Sequence, residues 1–137
     1  MCYIICAIIY IVNKTGSKNL NILIAEDEKA YCHALVLKLK NAGFNTVGVS
    51  NGEEAVEALK KEKFDLLILD LVMPQMSGFE VLEEMNNLKI KLPTIIMSNL
   101  SQTEDKKKVN DLGVTNFIEK ADTSLVDIVN RVRELLQ

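Results

Sequence analysis

The chain has 137 residues, 48% hydrophobic and 26% charged, with 16 basic against 19 acidic side chains and a net charge of -3. That suits one globular core and is too short for two comfortable ones. The mixed, mildly acidic balance excludes an electrostatic grip on a phosphate backbone, so no direct nucleic-acid partner is expected.

Its three cysteines form no C-x-x-C pair and no zinc spacing, and an odd number fits a secreted disulfide framework poorly. A reducing, cytoplasmic setting is expected, with Cys32 a small core residue. Residues 1–19 contain no acid, and Cys2 to Val12 carry no charge at all. As a helix those eleven residues would reach only about 16 Å, about half a bilayer's hydrocarbon thickness, so they cannot span a membrane alone. No basic residue precedes the run, as an export signal would want, and no N-terminal Met-Gly supports lipidation. Membrane association is not expected. An over-extended start or an extra element packed on the domain are the plainer readings, and the isoleucines, tyrosines and valine favour a strand. Asn13 to Asn19 reads as a polar linker. Residues 1–19 are thus a hydrophobic leader and linker, separate from a domain of residues 20–137.

From Leu20 onward, short apolar runs alternate with longer amphipathic ones. Leu20 to Ala25 is a near-continuous apolar run of strand length, as expected for a parallel strand buried on both faces. Asp27 can cap a helix whose inward residues are Cys32, Leu35, Val36, Leu39 and Ala42, and Gly43 ends it. A second strand runs near Asn45 to Val49. Asn51-Gly52 then opens a helix with Ala55, Ala58 and Leu59 inward.

Leu66 to Leu69 forms the third strand. A loop with Pro74 and Gly78 leads to a helix using Phe79, Leu82 and Met85, and Pro93 introduces a strand at Thr94 to Met97. A fourth helix, capped by Ser101 or Thr103, ends at Gly113, and a strand runs Asn116 to Ile118. The last helix, capped near Thr123 or Ser124, buries Leu125, Ile128, Val129, Val132 and Leu136. Repeated strand-helix units force parallel strands with right-handed crossovers. The predicted fold is a doubly wound, three-layer α/β domain with helices on both faces of the sheet.

Ligands of such a domain sit beyond the carboxyl ends of its strands. Those ends carry Glu26-Asp27, Asp70, Ser98 and Lys120. Three carboxylates converging on one edge repel one another unless a cation lies among them. A hard divalent ion with oxygen ligands, magnesium rather than calcium, fits a site with few protein ligands and no calcium-binding loop. Asp70 then has the chemistry of a carboxylate nucleophile beside a metal. Lys120 can neutralise a transferred phosphoryl group and the Ser98 hydroxyl can bond one of its oxygens, so the set reads as phosphoryl acceptance on aspartate.

With Glu26-Asp27-Glu28, then Asp70-Leu71-Val72-Met73-Pro74 with Gly78 further on, then Ser98 and Lys120, residues 20–137 resemble the receiver domain of two-component response regulators, of the stand-alone type. The resemblance implies a five-stranded parallel sheet in the flavodoxin-like order 2-1-3-4-5. It implies Asp70 as phosphoacceptor, Asp27 as a direct magnesium ligand, Glu26 as a ligand through water and Val72 as a ligand through its backbone carbonyl. Ser98 and Phe117 take the switch positions. The phosphoryl donor would be a sensor histidine kinase or a histidine phosphotransfer protein, and the chain would catalyse only its own phosphorylation and dephosphorylation. Output is expected through binding of a downstream protein to the fourth helix, fifth strand and fifth helix, since the chain stops directly after that helix.

Three positions depart from the family pattern. Ala121 stands where a cis proline is usual, and a cis bond to alanine would cost about 3 to 4 kcal/mol rather than about 1, which leaves the loop geometry open. Asn99 replaces the usual alanine, and the bulky Leu100 follows it. Apolar Val72 and Leu100 would flank the site and shield an acyl phosphate from water.

His33 reads as a solvated or half-buried helix residue and Lys106-Lys107-Lys108 as a solvated face. The rival readings are a binding module of the same fold in which Asp70 stays unmodified, an aspartate-nucleophile phosphatase, and a flavin carrier. A phosphatase would want an acid at Val72. A flavin phosphate would be repelled by Glu26-Asp27-Glu28.

Overall fold

The computed structural model describes residues 19–99 and 103–136. Residues 1–18, with the predicted leader, and Leu100, Ser101 and Gln102, with the predicted shield and one candidate cap, lie outside the described residues. The strands are β1 (Asn21–Ala25), β2 (Asn45–Val49), β3 (Leu66–Asp70), β4 (Thr94–Ser98) and β5 (Asn116–Glu119). The helices are α1 (Lys29–Asn41), α2 (Gly52–Lys61), α3 (Gly78–Asn87), α4 (Thr103–Asp111) and α5 (Leu125–Leu136). Every strand pair is parallel and the sheet order is β2-β1-β3-β4-β5, the doubly wound arrangement expected.

Residues alternate between two cores along each strand, which is why the strands read as continuous apolar runs. Leu23, Ala25, Leu67, Leu69 and Ile96 face a layer that includes Ala55, Leu59, Val81, Leu82 and Val109, from α2, α3 and α4. Ile22, Ile24, Ile68, Ile95 and Met97 face Leu35, Leu39, Ile128, Val129 and Val132, from α1 and α5. Helix α4 presents Val109 to the core and is otherwise polar where its side chains are described, so it is the least firmly anchored of the five.

Several helix starts follow the sequence signals. The Asn51 side chain accepts from the Glu54 N–H at 2.9 Å, and Ser124 Oγ accepts from the Asp127 N–H at 3.1 Å. The structure corrects one: Glu28, not Asp27, is the N-cap of α1, and no side chain caps it there. Asp27 is instead drawn into the carboxylate cluster described below.

The core faces of α2 and α3 also differ in detail. Val56 and Val81 are buried, whereas Ala58 and Phe79 are only partly covered. A Ser77/Glu80 capping box starts α3, with Ser77 accepting from the Glu80 N–H and Glu80 from the Ser77 N–H.

Candidate functional site

The carboxyl ends of β1, β3, β4 and β5 meet at one edge of the sheet, around a cleft of about 340 Å³. Parallel register puts Asp70 opposite Met97 and Ser98 opposite Glu119, so the residues following each strand share one rim. Glu26, Asp27, Asp70, Val72, Ser98 and Lys120, the residues the sequence singles out, all line it. Phe117 lies further down β5, half-buried, with the Lys106 ammonium 5.3 Å from its ring centroid.

One carboxylate oxygen each from Glu26, Asp27 and Asp70 lies within 4.8 Å of the other two. Glu26 and Asp70 are buried while Asp27 is exposed. Burial, and then the adjoining Glu26 carboxylate, push the Asp70 carboxyl up to about 7, against the Val72 N–H and the charge of Lys120. The Val72 N–H donates to Asp70 Oδ1 at 3.1 Å. The loop behind is held close: Gly78 N–H donates to Leu71 O at 3.0 Å, and a Cβ at residue 78 would collide with the Asp70 carbonyl oxygen.

Lys120 supplies the compensating charge. Its ammonium donates to Glu26 Oε1 at 2.7 Å and to the exposed Glu28 Oε2 at 3.2 Å, and it lies 3.8 Å from Asp70 Oδ2. Burial works against its charge, but Glu26, then Glu28 and Asp70, hold its pKa above the usual lysine value. Three carboxylates, of Glu26, Glu28 and Asp70, therefore surround one ammonium. Glu26 Oε2 is buried and accepts no hydrogen bond among the described residues. An unpaired, buried carboxylate oxygen beside two further carboxylates is a donor set that fits a hard divalent cation.

Two participants were not given roles by the sequence. Glu28 was visible in the acidic triplet but not as a partner of Lys120. Tyr31 stands in the first turn of α1, three residues beyond the N-cap Glu28, and its ring centroid is 4.3 Å from the Lys120 ammonium. His33 and Lys106-Lys107-Lys108 are exposed, as expected, and Cys32 is half-buried against the α1/α5 core, less covered than a core residue. Ala121 is exposed, its peptide to Lys120 is trans, and Lys120–Asp122 form a single 3-10 turn.

The fold and rim together define a doubly wound α/β domain with an acidic, lysine-bearing site at the sheet's carboxyl edge. Residues 22–133 match the family model described as the response regulator receiver domain. The chain is 34% identical over 101 residues to the cell cycle response regulator CtrA of Brucella ovis, a match covering 74% of this chain and 44% of that protein. The match thus spans less than half the length of that regulator. The receiver domain of the Francisella response regulator 1452 superposes with a TM-score of 0.80 at 27% identity, over 86% of this chain and 97% of that one. A CheY-like receiver domain protein from Methanospirillum hungatei shares the fold with a TM-score of 0.81 at 23% identity, over 87% and 94% of the two chains. The chain belongs to the response regulator receiver family of two-component signalling.

Proposed function

We propose that residues 20–137 accept a phosphoryl group on Asp70 from the phosphohistidine of a sensor kinase or a histidine phosphotransfer protein. The observation that carries this reading is the rim itself: three carboxylates within 4.8 Å of one another, with Lys120 3.8 Å from Asp70 and Ser98 on the same cleft. An Asp70 carboxylate oxygen attacks phosphorus as the P–N bond breaks, and the electron pair of that bond returns to the departing imidazole nitrogen. Lys120 and Ser98 take the phosphoryl oxygens, and the Val72 N–H orients the attacking carboxylate through Oδ1.

A magnesium ion would be held by Glu26, Asp27 and Asp70 with the Val72 carbonyl, and when bound it neutralises charge on the transferring group. The acyl phosphate adds about -2 of charge. It would draw Ser98 and Lys120 inward and let the Phe117 ring follow, changing the α4, β5 and α5 surface for a downstream protein. The setting is cytoplasmic. Among the described residues no helix is long and apolar enough to cross a membrane.

Intact-mass measurement with a small acyl-phosphate donor and magnesium tests the reading. One added phosphoryl group on the wild type and none on Asp70→Asn is expected. The rival, a receiver-like binding module, draws on Lys120 lying nearer Glu26 than Asp70, and an unmodified wild type would favour it.

A further inference from the structure

The ring of Tyr31 is the part of the site that the acceptor chemistry leaves unused. Tyr31 sits on α1, half-buried, with its face toward the Lys120 ammonium at 4.3 Å from the ring centroid. Its hydroxyl donates toward Met97 Sδ at 4.0 Å. Met97 is fully buried on β4 and stands opposite Asp70 in the sheet register. The ring thus reaches from α1 to the strand beside Asp70, where its hydroxyl makes only a long contact with the thioether.

Such a support suits Lys120 because its ammonium lies beyond hydrogen-bond reach of Asp70 and must shift toward the arriving group. In this structure two of its three N–H groups are spent on Glu26 and Glu28, at 2.7 and 3.2 Å, while Asp70 Oδ2 is 3.8 Å away. A phosphoryl oxygen on Asp70 would take the remaining N–H and draw the ammonium sideways, away from the Glu26 and Glu28 oxygens. Hydrogen bonds are directional and hold it in one place, whereas attraction to a ring face tolerates a lateral shift of the cation. A ring beneath the ammonium keeps it over the cleft as it moves from the Glu26 and Glu28 oxygens toward Asp70.

We propose that Tyr31 is a positioning residue for phosphoryl transfer, its aromatic face carrying the Lys120 ammonium between the carboxylates of Glu26 and Glu28 and the group arriving on Asp70. The role rests on Asp70 being the acceptor. It belongs to the ring rather than to the hydroxyl.

The test uses the full chain with a small acyl-phosphate donor and magnesium, comparing wild type with Tyr31→Phe and Tyr31→Leu. The maximal rate of adduct formation should stay within about twofold in Tyr31→Phe and fall about tenfold in Tyr31→Leu, with half-saturation by the donor unchanged. In a Lys120→Met background Tyr31→Leu should have no further effect. A second readout needs no phosphorylation: the Lys120 ε-methylene protons should show an upfield ring-current shift in wild type and Tyr31→Phe and lose it in Tyr31→Leu. Equal losses in the Phe and Leu variants, a wild-type rate in Tyr31→Leu, or no ring-current shift in wild type would overturn the proposal. A ring-current shift in a wild-type chain that takes up no phosphoryl group would overturn the acceptor reading and the transfer role with it, while supporting the placement of Lys120 by Tyr31.

Discussion

Lys120 and Glu26, 94 residues apart in sequence, form the closest ion pair of the site, 2.7 Å between Nζ and Oε1, with the glutamate side chain fully buried and the lysine 9% exposed. A charge pair this deep returns its desolvation cost only while both partners remain. Lys120→Ala would leave Glu26 and Asp70 buried without their counter-charge. It should destabilise the divalent-free protein by about 2 to 4 kcal/mol in urea unfolding near neutral pH, with magnesium restoring part of the loss. A loss below about 1 kcal/mol would place the pair among surface salt bridges instead.

The raised Asp70 carboxyl sets the pH dependence. It is pushed up to about 7 in the folded protein, burial leading and Glu26 following. An unfolded aspartate titrates near about 4. Between those values the folded state binds a proton that the unfolded state has released, so stability falls as pH rises from about 4 to about 7 and the deficit persists above. Asp70→Asn should therefore stabilise the divalent-free protein by about 1 to 3 kcal/mol at about pH 8 and change it little at about pH 4. Denaturant titrations of both proteins at the two pH values would show it. A gain equal at both would mean that Asp70 titrates normally.

The loop behind Asp70 depends on one close approach. At Gly78 an added Cβ would collide with the Asp70 carbonyl oxygen and lie 2.8 Å from Leu71 Cα, both backbone atoms that no side-chain rotation can move aside. Gly78→Ala should cost about 2 to 4 kcal/mol and slow phosphoryl uptake, because relieving the clash displaces the peptide that carries Asp70. Thermal unfolding and the donor assay on the same sample read both effects. Unchanged stability would show that α3 can shift away without cost.

The sheet was legible because strands covered on both faces need no polar alternation, and Leu66 to Leu69 or Thr94 to Met97 admit little else. The acidic and basic rim was legible for a related reason: a doubly wound sheet brings whatever follows its strands to one edge. Asp27 misled the cap assignment because capping and metal binding ask for the same side chain, and only the tertiary cluster decides between them. The attachment of Lys120 to Glu28 and to the Tyr31 ring depends on where the start of α1 meets the turn after β5, a tertiary relation with no local signature. The Ser77/Glu80 capping box, by contrast, is a serine-x-x-glutamate signal that could have been read directly.

Val72 stands at the mouth of the cleft with 60% of its surface exposed, an unusual place for a valine, while its N–H is engaged with Asp70 Oδ1. An isopropyl group there would displace water from the face of an acyl phosphate without offering it a hydrogen bond. Val72→Asn keeps the backbone N–H and carbonyl and so should leave phosphoryl uptake unchanged, but its amide can hold a water molecule near phosphorus. Decay of the adduct after donor removal, followed by intact mass in magnesium buffer, should be about three- to tenfold faster in Val72→Asn than in wild type, which corresponds to roughly 1 kcal/mol of barrier. If the variant's adduct decays at the wild-type rate or more slowly, Val72 is no shield and the lifetime is set elsewhere on the rim.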